Sequence, residues 1–219
     1  MRDLTYVIAT RKGSKRVKNK NIRQFGNSNL LEIKLKQIKR INKKSIIFLS
    51  SDCNTCLKIG KKYGAILDKR PKKFATDYVP MRNVYKYLAR KVETKYVCYL
   101  HVTSPFLKDA TLKRALKIFY KSKKKYDSLA TVTEVQEYLW HKNRAINYNP
   151  KNHPKSQSLP KFLALNFAIN IIDTKKMREK GRIVGNHFVP LILNFPESLD
   201  IDENWQFKLG NALKRYKII

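Results

Sequence analysis

Tyr6-Val7-Ile8-Ala9, continuing into Thr10-Arg11-Lys12-Gly13-Ser14-Lys15-Arg16-Val17-Lys18-Asn19-Lys20-Asn21, is the stretch that decides the fold. The opening run is apolar without polar alternation, which predicts a strand covered on both faces, as in a parallel sheet. The loop after it combines one glycine with a dense set of cationic donors. In doubly wound sheets, ligands bind beyond the carboxyl ends of the strands, at the switch point. A basic loop there can hold a polyphosphate through backbone N–H groups, Ser14, and Lys and Arg side chains. The spacing is neither G-x-x-x-x-G-K-[ST] nor G-x-G-x-x-G, so the P-loop and the dinucleotide fingerprint are both absent. A solvated basic loop would carry the same residues, so the loop alone does not name a ligand.

Working outward, further short apolar runs read as strands: Ile46 to Leu49, Tyr96 to Leu100, Leu129 to Val132 and Phe167 to Ile172. Helical spacing fills the gaps. Leu30, Leu31, Ile33, Leu35 and Ile38 mark one helix, and Cys56, Ile59 and Tyr63 another that Gly64 closes as a C-cap would. Val84, Tyr87, Leu88 and Val92 mark a third, and Asp109 opens a fourth. Asp202 opens the last, with Trp205, Leu209 and Leu213. Strand and helix alternate, which predicts a single α/β domain over 1–219 with a mostly parallel sheet flanked by helices. Glu134 to Lys161 breaks the rhythm: it is polar, holds Pro150, Pro154 and Pro160, and shows no helical period. We expect an excursion there, a long loop or an antiparallel hairpin, able to form a dimer contact or a lid.

The chain of 219 residues is 42% hydrophobic, enough for a real core, so disorder is excluded. Its formal charge of +32 suits a nucleic-acid or anionic partner. The excess is spread along the chain and is mostly lysine, a pattern that compositional drift also produces. Three cysteines, Cys53, Cys56 and Cys98, with no signal peptide, predict a reducing, cytoplasmic setting. Cys53 and Cys56 are spaced C-x-x-C but lack a second pair for zinc, and we expect them in the first turn of a helix. No run approaches the ~20 apolar residues of a membrane span.

With these elements in place, the chain resembles the CMP-sugar synthetase family, which includes N-acylneuraminate and Kdo cytidylyltransferases. The family pattern A-R-x-G-S-K-R-x-x-x-K-N-[IL] is matched by Ala9 to Arg16 and Lys20-Asn21-Ile22, with Thr10 as an extra residue or in place of the alanine. Gly26 and Leu30-Leu31 follow as in G-x-x-L-L. Ser50-Ser51-Asp52 is similar to S-T-D, Tyr63-Gly64-Ala65 to Y-G-A, and Arg70-Pro71 with Ala75-Thr76-Asp77 to R-P-x-x-x-A-x-D. His101-Val102-Thr103-Ser104-Pro105 is similar to Q-P-T-S-P, and Asp200-Ile201-Asp202 to the closing D-I-D.

The resemblance implies a Rossmann-like nucleotidyltransferase with CTP on the first loop. Arg11 and Lys20 would meet the phosphates, with Ala9, Gly13, Ser14, Lys15 and Asn21 around them. Arg70, Ala75, Thr76 and Asp77 would complete the nucleotide site. Asp200 and Asp202 would hold Mg²⁺, and with Arg11 and Lys20 would form the catalytic set. His101, Thr103, Ser104, Gln157 and Asn166 would face an acidic sugar, whose anomeric hydroxyl attacks the α-phosphate. The residue types agree, because nucleotidyl transfer needs charge neutralisation and in-line positioning, and Mg²⁺ wants hard carboxylate oxygens. Read without the resemblance, Asp202 is a helix N-cap, Asp200 and Asp77 are turn residues, and His101 is a core histidine.

Two departures bear on the sugar. His101 stands where the family commonly has Gln, and Ala164-Leu165-Asn166-Phe167 stands where sialic-acid members have R-P-N-G. The arginine that would pair with a sugar carboxylate is missing, and Phe167 in place of Gly should reshape the pocket. Trp140 to Pro160 is similar to the insertion that makes a homodimer in nonulosonate members. Three alternatives stand beside this reading: a nucleic-acid-binding protein, a nucleotidyltransferase with another nucleotide or acceptor such as Kdo, and a non-catalytic descendant.

Overall fold

The computed structural model describes residues 3–216; the outermost residues of the expected domain, 1–2 and 217–219, lie outside it. In chain order the elements are β1 (Leu4–Thr10), β2 (Gln24–Phe25), β3 (Ser28–Asn29), α1 (Leu30–Ile41), β4 (Ile46–Ser51), α2 (Asn54–Lys62) and β5 (Ile66–Lys69). There follow α3 (Met81–Ala89), β6 (Tyr96–Leu100), α4 (Asp109–Ser122), β7 (Ser128–Val135), β8 (Trp140–His141) and β9 (Arg144–Ala145). The chain closes with β10 (Phe162–Asp173), α5 (Thr174–Lys180), β11 (Phe188–Ile192) and α6 (Asn204–Arg215).

Seven strands form one sheet in the order β11-β7-β10-β6-β1-β4-β5. All neighbours are parallel except β10, which runs antiparallel to both β6 and β7. The α/β expectation therefore holds. From β1 the chain first builds outward through β4 to β5, then returns to place β6 on the other side of β1. The switch point thus lies between the carboxyl ends of β1 and β6, where Arg11 and His101 leave the sheet.

Burial explains which strands were legible. Tyr96 to Leu100 is buried at every position, and β1 and β4 nearly so, because helices cover both faces. α1 is amphipathic, starts at an Asn29 cap whose side chain accepts from the Glu32 N–H, and buries Leu30, Leu31, Leu35 and Ile38. Truncating Leu35 or Ile38 to Ala would cost about 2–5 kcal/mol. α2 ends as expected: Gly64 follows its last turn with φ +64°, a conformation glycine adopts without strain.

Cys53 caps α2 and Cys56 lies in its first turn, both buried as free thiols. Burial pushes the Cys56 thiol up to about 12, which makes it an inert core residue. The 134–161 excursion holds the small antiparallel hairpin β8–β9. One start differs: the cap of α6 is Glu203 in a capping box with Gln206, not Asp202. Among the described residues, no helix is long and apolar enough to cross a membrane.

Candidate active site

The loop after β1 is fixed at several points. The Lys12 N–H donates to Asp52 at 2.8 Å, and the buried Asn21 amide donates to the Arg11 carbonyl at 3.1 Å. Asn21 also accepts the Leu31 N–H through its own carbonyl, which ties the loop to the start of α1. The left-handed residue of the loop is Asn19, at φ +56°, and not Gly13. A Cβ on Gly13 would meet nothing within 4 Å, so what this glycine leaves is open space over the loop backbone, where an anion can approach.

The loop's cations are shared among three acidic partners far away in sequence, Asp77, Asp202 and Glu203. Asp77, just after the turn Lys72–Phe74, pairs with Arg11 and, at 2.7 Å, with Lys15. These cations hold its carboxyl below the usual range. Across the loop, Lys20 donates to Asp202 at 2.9 Å and to the Ile201 carbonyl at 2.7 Å, although 182 residues separate Lys20 from Asp202. The Lys20 side chain is only 13% exposed, so this bond is shielded on its lysine side, while the Asp202 side chain is 43% exposed. Arg16, which the sequence did not single out, pairs with Asp202 at 3.3 Å and with Glu203 at 2.7 Å.

The pKa values of Asp200 and Asp202 are pushed in opposite directions. Burial, then the neighbouring Asp202 charge, pushes Asp200 up, against Thr103, Lys20 and Arg16, which favour its ionised form. Burial also acts upward on Asp202, but the Lys20 bond and charge, then Arg16, hold it below the usual carboxylate range. Asp200 Oδ1 is buried without a hydrogen-bond partner. It is therefore not a surface-turn residue, and an orphaned hard oxygen next to a second carboxylate is a donor set that fits a divalent cation. Among the described residues no group of three or more potential metal ligands forms, so phosphate oxygens and water would have to complete the shell.

The bend after β6 approaches from the other side. The Thr103 carbonyl accepts the Ile201 N–H at 2.9 Å, so this bend and the 200–202 segment are joined directly. Ser104 is buried, and its carbonyl accepts from Lys34 at 3.0 Å. His101 has a buried, unpartnered Nε2, and burial drives its pKa down to about 4. It stacks on Phe167, ring centroids 5.8 Å apart.

The remaining expected residues are placed less centrally. Arg70 is buried and donates to the Thr10 carbonyl, so it braces the end of β1 from behind. Ala75 and Thr76 lead into Asp77 at the rim. The Asn166 amide is engaged locally: it donates to Thr133 at 3.0 Å and accepts from the Ala168 N–H at 3.3 Å. Gln157 lies exposed on a short turn in the excursion, and among the described residues no hydrogen bond joins its side chain to the loop or to Asp200–Asp202. A groove of about 1330 Å³ between the β2–β3 turn, α1 and α6 contains none of the candidate residues.

Comparison with known proteins places the chain among nucleotidyltransferases that use CTP. A pseudaminic acid cytidylyltransferase of Campylobacter jejuni is 30% identical over 223 residues, covering 97% of this chain and 95% of the relative. The post-translational flagellin modification protein B of Campylobacter coli is 25% identical over 235 residues, covering 99% and 97%. In fold, the solved CMP:2-keto-3-deoxy-manno-octonic acid synthetase complexed with CTP superposes with a TM-score of 0.69 at 11% identity, covering 98% of this chain and 99% of that one. The family model described as cytidylyltransferase matches residues 5–161. This chain belongs to the cytidylyltransferase family.

Proposed function

We propose that this cytidylyltransferase transfers CMP from CTP to the anomeric hydroxyl of an acidic nine-carbon keto-sugar of the sialic or pseudaminic type, releasing pyrophosphate. The observation that carries the proposal is the Lys20–Asp202 bond at 2.9 Å, which joins the basic loop to the carboxylate pair beside the switch point. The sugar oxygen forms a bond to the α-phosphorus, the bond from that phosphorus to the β-phosphate oxygen breaks, and the hydroxyl proton passes to solvent or a carboxylate. Arg11, Lys15 and Lys20 hold phosphate charge, Gly13 and Ser14 admit the chain of phosphates to the loop backbone, and Asn21 keeps the loop in shape. Asp77, Ala75 and Thr76 line the rim on the nucleoside side, and Arg70 supports β1 beneath it. Asp200 and Asp202 would hold Mg²⁺, which neutralises phosphate charge and favours attack by the hydroxyl.

The acceptor side rests on His101, Thr103, Ser104 and the bulge around Asn166 and Phe167, with Gln157 on the excursion. The relative named for pseudaminic acid favours a nonulosonate acceptor. A homodimer fits as well. Trp140, Ile146, Phe162, Leu163 and Leu165 are all exposed on the excursion and the first half of β10, apolar side chains that a second copy would cover. Size-exclusion chromatography with light scattering reads that state. The free, buried thiols suit a reducing, cytoplasmic setting.

The test is a calorimetric titration of CTP, UTP, GTP and ATP with Mg²⁺ at moderate salt, followed by pyrophosphate release with a panel of acidic sugars. A clear preference for CTP and release with a nonulosonate support the proposal. Equal, salt-sensitive binding of all four would reduce the loop to a cationic surface and turn attention to nucleic acids.

A further inference from the structure

We infer that Lys34 is a positioning residue that shapes the acceptor side of the site through the Ser104 carbonyl. It rests on the proposed transfer reaction for its catalytic consequence, but its structural part stands alone.

Lys34 interrupts the apolar stripe Leu30, Leu31, Leu35 and Ile38 of α1 and is among the largest fully buried side chains of the protein. Among the described residues it has no ion-pair partner. Its Nζ donates instead to the Gln37 side-chain carbonyl at 2.9 Å and to the Ser104 carbonyl at 3.0 Å. A lysine in this place is costly as mere filler, since leucine or methionine would fill the volume without desolvating an amine. Burial lowers the Lys34 pKa to about 7, with Cys98 and Asp109 supporting the charge and Arg40 opposing it, so the amine is easily neutralised.

What the lysine obtains is control of a bend. Ser104 is buried, and among the described residues its carbonyl accepts from Lys34 alone. One residue earlier, the Thr103 carbonyl accepts the Ile201 N–H, and the Ile201 carbonyl in turn accepts from Lys20. Ile201 lies between the two carboxylates. The segment is therefore strapped on one side by Lys20 of the phosphate loop and on the other by the bend that Lys34 holds. Gln37 and Arg40, further along α1, reach Leu107 and Asp109 of the same connection, so α1 fixes the bend along its length.

The experiment compares the wild-type chain with Lys34→Met, which keeps length and loses the donor, by amide hydrogen exchange and by steady-state kinetics. Exchange at the Ile201 N–H should rise roughly 10-fold or more, and kcat should fall roughly 10-fold with KM for CTP changed less than about threefold. If Lys34→Met does not fold, Lys34→Gln, which keeps a polar group but is too short to hold both acceptors, is read instead and should give a smaller rise at Ile201. Unchanged exchange at Ile201 in the variant read overturns the inference. Raised exchange with unchanged kcat overturns the positioning role in catalysis. Raised exchange in a chain whose wild type transfers no CMP confirms the strap and defeats the proposed reaction separately.

Discussion

The imidazole of His101 lies against the ring of Phe167, centroids 5.8 Å apart and planes inclined by 25°. These are two of the positions at which the sequence departs from the family pattern, and the fold makes them neighbours. Phe167 sits in a β10 bulge at φ +58°, a conformation that costs a residue with a Cβ about 1–2 kcal/mol. Asn170 holds it there by donating to the Phe167 carbonyl at 3.0 Å. A glycine at this place would carry no strain, so the aromatic ring is retained against a backbone cost, and the stack on His101 is its visible compensation.

Phe167→Gly should therefore separate stability from selectivity. Relief of the left-handed strain, about 1–2 kcal/mol, offsets loss of a half-buried ring of similar worth, so the unfolding midpoint should move little. The acceptor preference should change about 10-fold in kcat/KM across a panel of acidic sugars, while KM for CTP stays within about threefold. An unchanged acceptor profile would remove Phe167 from the sugar side.

Lys20→Met removes the shielded bond to Asp202 and leaves the Ile201 carbonyl without its donor. We expect kcat/KM for CTP to fall roughly 100-fold, the scale of losing one preorganised charge partner. Arg16→Met, at a more exposed pair, should cost far less. Equal losses in the two variants would mean that burial of the Lys20 bond is irrelevant.

Much of this arrangement was legible in the sequence, for physical reasons. β1, β4 and β6 read as strands because both faces are covered and apolar runs are unbroken. β5 and β11 were missed because they are edge strands: β5 is largely exposed, and β11 holds Pro190. α5, with Lys175, Lys176, Arg178 and Lys180 around a single buried Met177, shows too little apolar face to be recognised. Asp200 and Asp202 were candidates through the resemblance, not through spacing or composition. Arg16 was missed because a cation among many carries no sign of its distant partner. Lys34 could have been found, since it falls on the apolar stripe between Leu30 and Ile38, where a charge breaks the period.

Asp200→Asn should abolish Mg²⁺-dependent turnover yet stabilise the free protein. The folded pKa of Asp200 is raised, so the native state holds its proton more tightly than the unfolded chain does. Stability therefore falls as pH rises from the ordinary aspartate value through the raised folded one. Removing the charge should raise Tm by roughly 2–4 °C, equivalent to about 1 kcal/mol in a chain of this size. Mg²⁺ should raise the wild-type Tm and leave Asp200→Asn almost unmoved. A cation-induced rise of equal size in both would place the metal elsewhere.

His101 gives the opposite pH dependence. Its folded pKa, about 4, lies below the ordinary histidine value because burial disfavours the imidazolium, although Asp202 favours it. Between these values the unfolded chain binds the proton and the native state does not, so stability is present at neutral pH and is lost as pH falls from about 6.5 toward 4. His101→Gln cannot titrate and should lack this component. Urea midpoints at pH 7 and pH 5 should show the wild type losing about 2 kcal/mol more than the variant, and the exposed histidines, present in both, cancel from the difference. Equal losses would mean that the imidazole is protonated in place, with its Nε2 proton donated to Asp202 or to solvent, and the stack on Phe167 would then be a cation on a ring.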